Sequence, residues 1–306
     1  MNIKFTLTLL TAVLILNSCQ KDLELSTDDF RSRLVVNSIF TPDSLWSITV
    51  SNTKNILDHD SHIENIDDAS IFLENRSLNT DVPIVNLGNG KYGSAGVLPI
   101  EGHQYEIFVQ KEGYETARSF TYVPSNDEAP KMFSIEEVNR FDEKVFKISM
   151  KIEDDPLRQN FYIWELISTS KASAGAVYKG EELDKLETYL DTGLPTNQPK
   201  SGFLTALSSD GDFNGETYRQ DFFIVPNSDL VKGGDPNHPE TTEIKFYLKV
   251  RSVSQDLYKF HESLKLYQSS ADVNTSISSP VPIFSNIENG LGIFGSYSES
   301  IIQLEL

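Results

Sequence analysis

Two clusters of oxygen donors come closest to a recognisable chemistry. Asp210-Gly211-Asp212-Phe213-Asn214-Gly215 puts donors at the first, third and fifth positions and glycine at the sixth, as a calcium-wrapping loop does, with Asp221 at the twelfth. The twelfth ligand is normally Glu, whose longer reach gives bidentate contact, and no helix is expected on either side. The same residues therefore read first as an Asn-Gly hairpin turn with acidic neighbours, and calcium is the alternative. His59-Asp60-Ser61-His62, with Asp58 and Glu64 nearby, offers metal-binding side chains on a loop, where solvated surface is the plainer reading. The sequence contains no Gly-x-Ser-x-Gly elbow and no glycine-rich strand-to-helix phosphate loop. Asp154 and Asp155 are adjacent, so in a strand they point to opposite faces and form no carboxylate pair. Trp46, Trp164 and the tyrosines offer rings for sugar stacking, but a packed core is the simpler use of them. No catalytic residue is assigned, no cofactor is expected, and the chain reads as non-enzymatic.

The single cysteine carries another chemistry. Lys4 gives a positive start, and Phe5 to Leu16 is a mostly apolar run broken by Thr6, Thr8 and Thr11. That is too short for the ~20 residues that cross a bilayer as a helix, and it reads as a secretory signal over 1–18. It ends Leu16-Asn17-Ser18-Cys19, which resembles the bacterial lipobox, with Asn17 in place of the usual small residue. That resemblance implies a lipidated Cys19 as the first mature residue, and a thiol is the side chain able to take a diacylglycerol thioether. Three acyl chains, at ~0.8 kcal/mol per buried CH₂, would anchor the chain to a lipid bilayer without a spanning helix. Gln20-Lys21-Asp22-Leu23-Glu24 is similar to the short acidic export signal of surface lipoproteins in Bacteroidetes; an ordinary polar tether is the alternative.

Charge and composition narrow the classes further. With Lys+Arg 26 against Asp+Glu 45, the 306 residues carry a formal charge of −19, so a nucleic-acid-binding face is not expected. Removing 1–18 removes Lys4 alone among charged residues and leaves about −20. One cysteine excludes a disulfide framework, and 18 Phe with 12 Tyr argue for a packed rather than a disordered chain.

The elements that would position these residues are strands. Residues 19–32 read as the lipidated tether. Leu34-Val35-Val36 with Ile39-Phe40 is β-rich, Thr41 to Ser44 is a turn, and Trp46, Ile48 and Val50 alternate with polar residues. Ala69 to Glu74, Ile84 to Leu87, Tyr105 to Val109 and Phe120 to Val123 follow, with Gly88-Asn89-Gly90 a strong turn signal. This predicts an antiparallel β-sandwich of immunoglobulin-like size over 33–124. Pro124 to Pro130 is the expected boundary, and 131–306 the second, β-rich sandwich domain with one or two short helices. Its strands include Phe146 to Ile152, the bulky run Phe161 to Ile167, buried on both faces, and Ile244 to Val250. Leu183, Leu186 and Leu190 suit a short helix over 181–190. Ser252 to Ser269 is the convincing helix, with Ser252 and Gln255 as a capping box. Gly290, Gly292 and Gly295 among Leu291, Ile293 and Phe294 imply positive φ or close backbone contact, and the chain should end inside a sheet.

In their order, several segments resemble the domain-of-unknown-function 4249 family of Bacteroidetes lipoproteins. They are Leu34-Val35-Val36-Asn37, Asp68-Ala69-Ser70-Ile71, Gly90-Lys91-Tyr92, and Gly102 with Tyr105. In the second half they are Asp155-Pro156 with Asn160-Phe161-Tyr162, Phe213-Asn214-Gly215, and Asn286 through Gly295. The resemblance covers about 19–306. It implies an outer-membrane lipoprotein, often encoded beside a TonB-dependent receptor, with no catalytic residues to carry over. The function expected is a surface-exposed lipoprotein that works with an outer-membrane β-barrel in nutrient capture. A structural or assembly subunit or an adhesin binding another protein is the alternative, and a hydrolase stands third.

Overall fold

The computed structural model describes residues 30–55, 63–125, 131–140, 143–153, 158–171, 190–191, 205–209, 217–224, 243–272 and 281–304. Eight strands precede residue 125: β1 (Leu34–Phe40), β2 (Ser47–Asn52), β3 (Ser70–Asn75), β4 (Thr80–Val82), β5 (Ile84–Gly88), β6 (Lys91–Ser94), β7 (Gln104–Gln110) and β8 (Ala117–Tyr122). Eight more follow: β9 (Lys131–Arg140), β10 (Glu143–Glu153), β11 (Phe161–Lys171), β12 (Leu190–Asp191), β13 (Thr205–Ser209), β14 (Thr217–Ile224), β15 (Glu243–Val253) and β16 (Leu291–Leu304). Among the described residues one helix, α1 (Gln255–Asp272), lies between β15 and β16. All belong to one compact unit, Arg33–Thr53 with His62–Leu306.

The fold is mostly β, as the alternation predicts. A long sheet of order β13-β11-β15-β16-β1-β2-β6-β5 is faced by two smaller ones, β4-β3-β7-β8 and β12-β14-β10-β9. Their pairings are antiparallel except one: β16 runs parallel to β1, with Val36 opposite Gly292 and Ser38 opposite Phe294. The long sheet thus takes strands from both sides of the expected boundary, Pro124 to Pro130, of which 126–130 lie outside the described residues. At fourteen residues β16 is long enough to offer its first half to β1 and its second half to β15.

Period-two burial drives the packing. In β1, Leu34, Val36 and Phe40 face in, and in β2 Ile48 and Val50 do so; both sets meet Leu73 of β3 and Tyr105, Ile107 and Val109 of β7. A second core joins Ile148, Met150 and Ile152 of β10 to Tyr162 and Trp164 of β11, Leu248 and Val250 of β15 and Leu304 of β16. The opposite face of β11, with Phe161 and Ile163, packs against Leu257 of α1. Phe161 through Trp164 are all buried, so the unbroken bulk of this run does reflect burial on both faces.

The helix start departs from the sequence reading. Ser252 is not its cap: it remains in β15, opposite Ser298. Ser254 is the cap, its Oγ accepting the Leu257 amide at 3.4 Å. The strand runs two residues further than helical periodicity suggests because the Ser254 amide still bonds the Ser296 carbonyl at 2.9 Å. Strand β9 is also missed by alternation, since Glu136-Glu137 interrupts its pattern; it forms through pairing with β10. The region 181–190 lies outside the described residues apart from Leu190.

Candidate functional site

Most residues singled out by chemistry fall outside the described set: Cys19, Gln20, Lys21, Asp22, Glu24, His59, His62, Asp154, Asp155, Asp210, Asp212 and Asn214. Asp221 is described. It sits in β14 opposite Ser149 of β10, where Ser149 Oγ donates to its carboxylate at 2.6 Å and Lys147 Nζ pairs with it at 2.9 Å. Burial pushes this carboxyl upward, but the bonds from Ser149 and Lys147 and the charges of Lys147 and Arg219 outweigh that and hold it below the ordinary carboxylate value. Both tryptophans are core residues rather than an exposed platform. Trp46 packs against Phe40 at 4.1 Å between ring centres and against Tyr105 at 4.9 Å, and Trp164 donates from Nε1 to Ser208 Oγ at 2.7 Å.

An open cleft of about 420 Å³ lies where the end of β8, the start of β11 and the first turn of α1 converge. Three distant segments, 120–124, 158–161 and 252–256, supply its wall together with Gln104. The segment 158–161 is placed by the pairing of β11 with β15, and the other two meet through β16. Ser296 Oγ donates to the Tyr122 carbonyl at 2.7 Å and Ser298 Oγ to the Pro124 carbonyl at 2.5 Å, so this strand holds the exit of β8 beside it. On its other side the backbone of Ser296 holds Ser254, which fixes the entry to α1. Both serines are buried, in a strand otherwise read as apolar.

Strand β8 is inverted relative to a simple hydrophobic reading. Ser119 and Thr121 face inward, while Phe120 faces outward and is 68% exposed. Across the outer face, Phe120 stands opposite Glu106 of β7, and Tyr122 opposite Gln104. Glu106 is nearly enclosed and is clamped by Arg118 Nε at 2.5 Å and Arg76 Nε at 3.3 Å, which ties down its charge. Arg158 lies over the Tyr122 ring, 5.0 Å from its centre, and also donates to its hydroxyl. On the α1 side, Asp256 accepts a bond from Asn286 Nδ2 at 3.1 Å.

The wall therefore combines an exposed phenyl ring, a tyrosine braced by a guanidinium, amides and one carboxylate. Two further hydroxyls of lining residues, Thr121 Oγ1 and Ser252 Oγ, are enclosed and have no hydrogen-bond partner among the described residues. Leaving such a group unsatisfied costs about 1–3 kcal/mol. No motif in the sequence marks this cleft. Its one legible trace is the run Ser119-Phe120-Thr121-Tyr122, where aromatics occupy the phase opposite to the buried Ala117 and Val123.

No curated protein matches this chain in sequence. A solved structure described as "Biofilm associated protein - BSP domain" aligns over 94% of this chain at 10% identity and a TM-score of 0.22, and the chain spans 62% of its length. Another, described as "Complete structure of manganese lipoxygenase of Gaeumannomyces graminis and partial structure of zonadhesin of Komagataella pastoris", aligns over 77% of this chain and 79% of its own at 10% identity and a TM-score of 0.19. Likenesses this weak carry no argument about fold or function. The sequence profile of one family, the Domain of unknown function DUF4249, matches residues 20–302, and the chain belongs to that family.

Proposed function

We propose that this protein is a non-enzymatic, lipid-anchored, surface-exposed outer-membrane lipoprotein that captures a nutrient for an outer-membrane β-barrel of the TonB-dependent receptor class. The observation that carries this reading is the order Leu16-Asn17-Ser18-Cys19 followed by Gln20-Lys21-Asp22-Leu23-Glu24 at the head of a β-rich chain. A lipid on Cys19 leaves the folded part free to act at the membrane surface, and the 420 Å³ cleft supplies a place for a small solute. The test is purification of the tagged chain from outer membranes after mild cross-linking. Co-purification of a TonB-dependent barrel is the expected result. Recovery of the chain as a soluble periplasmic protein would refute the reading.

A second reading, an assembly subunit or adhesin, draws on β5. This strand lies at one end of the long sheet, paired on one side by β6, with Val85 44% and Leu87 65% exposed. An edge of that kind can accept a strand from another protein. Cross-linking to an envelope-assembly machine or a host protein, without a transport barrel, would favour it.

A further inference from the structure

We propose that the cleft beside the first turn of α1 binds a carbohydrate of one or two sugar rings. The inference names the substrate class of the capture function and in that respect rests on it. It starts from the wall chemistry. A sugar has an apolar face of ring C–H groups and a rim of hydroxyls that both donate and accept. Phe120 offers a phenyl ring to the first, 68% exposed on a sheet face where Phe72 and Phe108 lie in the neighbouring strands. Gln104, Gln159 and Gln255 offer amides to the second, each able to donate and accept.

Charge argues against the other small ligands. An organic anion would meet Asp256 in the wall, in a chain of formal charge −19. A simple cation would meet the Arg158 guanidinium, which the Tyr122 ring and hydroxyl hold at the same wall. A neutral ligand rich in hydroxyls meets neither penalty. A volume of 420 Å³ falls within the ~300–1,000 Å³ of small-molecule clefts and suits one or two rings rather than an extended chain.

The test uses the purified full chain in detergent on an array of immobilised mono-, di- and oligosaccharides, followed by calorimetric titration of any sugar retained, with dialanine and citrate as comparators. The expected result is binding of at least one mono- or disaccharide, weakened about tenfold by Phe120→Ala and retained by Phe120→Tyr. Phe72→Ala, exposed on the same sheet face but outside the cleft, should leave the affinity unchanged. Three results would overturn the proposal: no sugar bound by the folded protein up to about 10 mM, sugar binding indifferent to Phe120→Ala, or binding of dialanine or citrate that is lost in Phe120→Ala. None of these measurements requires anchoring or a barrel. Their failure would leave the surface-lipoprotein reading standing, and loss of barrel co-purification would leave the titration standing.

Discussion

Replacement of Gly292 tests how the two ends of the chain are joined. Gly292 has φ +114, a region that L side chains rarely adopt, and a Cβ on it would overlap the Val36 carbonyl in the adjacent strand β1. Two penalties therefore act at one position: backbone strain of about 1–2 kcal/mol and overpacking of about 1–3 kcal/mol. Other glycines separate them. Gly96 has φ +87 and open space where its Cβ would be, so Gly96→Ala carries strain alone. Gly295 has no positive φ, but its Cβ would lie 2.9 Å from Leu257 Cβ, so Gly295→Ala carries crowding alone, between β16 and α1. Gly292→Ala should cost about 2–5 kcal/mol, near the sum of the other two if the sites are independent. At about 2–4 °C per kcal/mol for domains somewhat smaller than this one, thermal melting followed by circular dichroism would place Gly292→Ala well below both single-penalty variants. Gly292→Val should be lower still, because a β-branched side chain has fewer escapes. A Gly292→Ala melting temperature equal to that of Gly96→Ala would refute the claim that the parallel β1–β16 contact needs a bare backbone there.

Cys19→Ala should abolish labelling by radioactive palmitate and leave an unprocessed or soluble form; unchanged labelling would remove the lipoprotein reading. Replacing Lys21, Asp22 and Glu24 together by Ala should preserve that labelling but protect the chain from protease added to whole cells, and equal digestion before and after would refute the export role. Asp221 should contribute stability above the ordinary carboxylate pKa and lose it as pH falls through its lower folded value, because the native state holds the ionised form. Asp221→Asn should therefore flatten the acid limb of a pH–stability profile, and an unchanged limb would contradict the Ser149 and Lys147 contacts. With that carboxylate already held, a chelator should leave the melting temperature unchanged; a calcium site filled at 100 times its dissociation constant would add ~2.7 kcal/mol, so a drop of several degrees, absent in Asp212→Ala, would favour calcium.

Strand positions were legible wherever one face is buried. Trp46-Ser47-Ile48-Thr49-Val50 alternates because its odd members meet water while Trp46, Ile48 and Val50 meet the core. The Gly88-Asn89-Gly90 signal was equally direct: all three residues take positive φ, and a Cβ on Gly90 would meet the Val50 carbonyl at 2.5 Å. Pairing was less legible, because alternation says which face is buried and not which strand lies alongside. Nothing local in Leu34 to Phe40 announces that its partner begins at Leu291, and the parallel contact spans nearly the whole sequence. The cap of α1 was misplaced for a related reason. The capping box favours Ser252 locally, and it is overridden by Ser296, 42 residues on, which keeps the backbone of Ser254 in the sheet.

The cleft is the extreme case of that limit. Its residues come from the exit of β8, the approach to β11 and the junction of β15 with α1, and none of these segments has a motif of its own. What joins the first and third is β16, whose buried hydroxyls bond the carbonyls of Tyr122 and Pro124 on one side while its backbone and Ser254 bond each other on the other, and β11 is brought in by its pairing with β15. Serine at such positions looks like surface in a periodicity count, because a small polar residue in an exposed phase and a small polar residue bonded in a buried phase have the same letter. The difference lies in the partner, and the partner is set by register. A change that slips β16 by one residue would turn Ser296 and Ser298 to the opposite face, release 122–124, and dismantle the cleft while the local sequence of each wall segment stayed intact. The cleft is therefore a property of the register between β16 and its neighbours. Ser296→Ala with Ser298→Ala, which keeps the strand but removes both bonds, should loosen the cleft wall first, seen as faster amide exchange at Thr121 to Pro124's neighbours before any change at Val36 or Ile48.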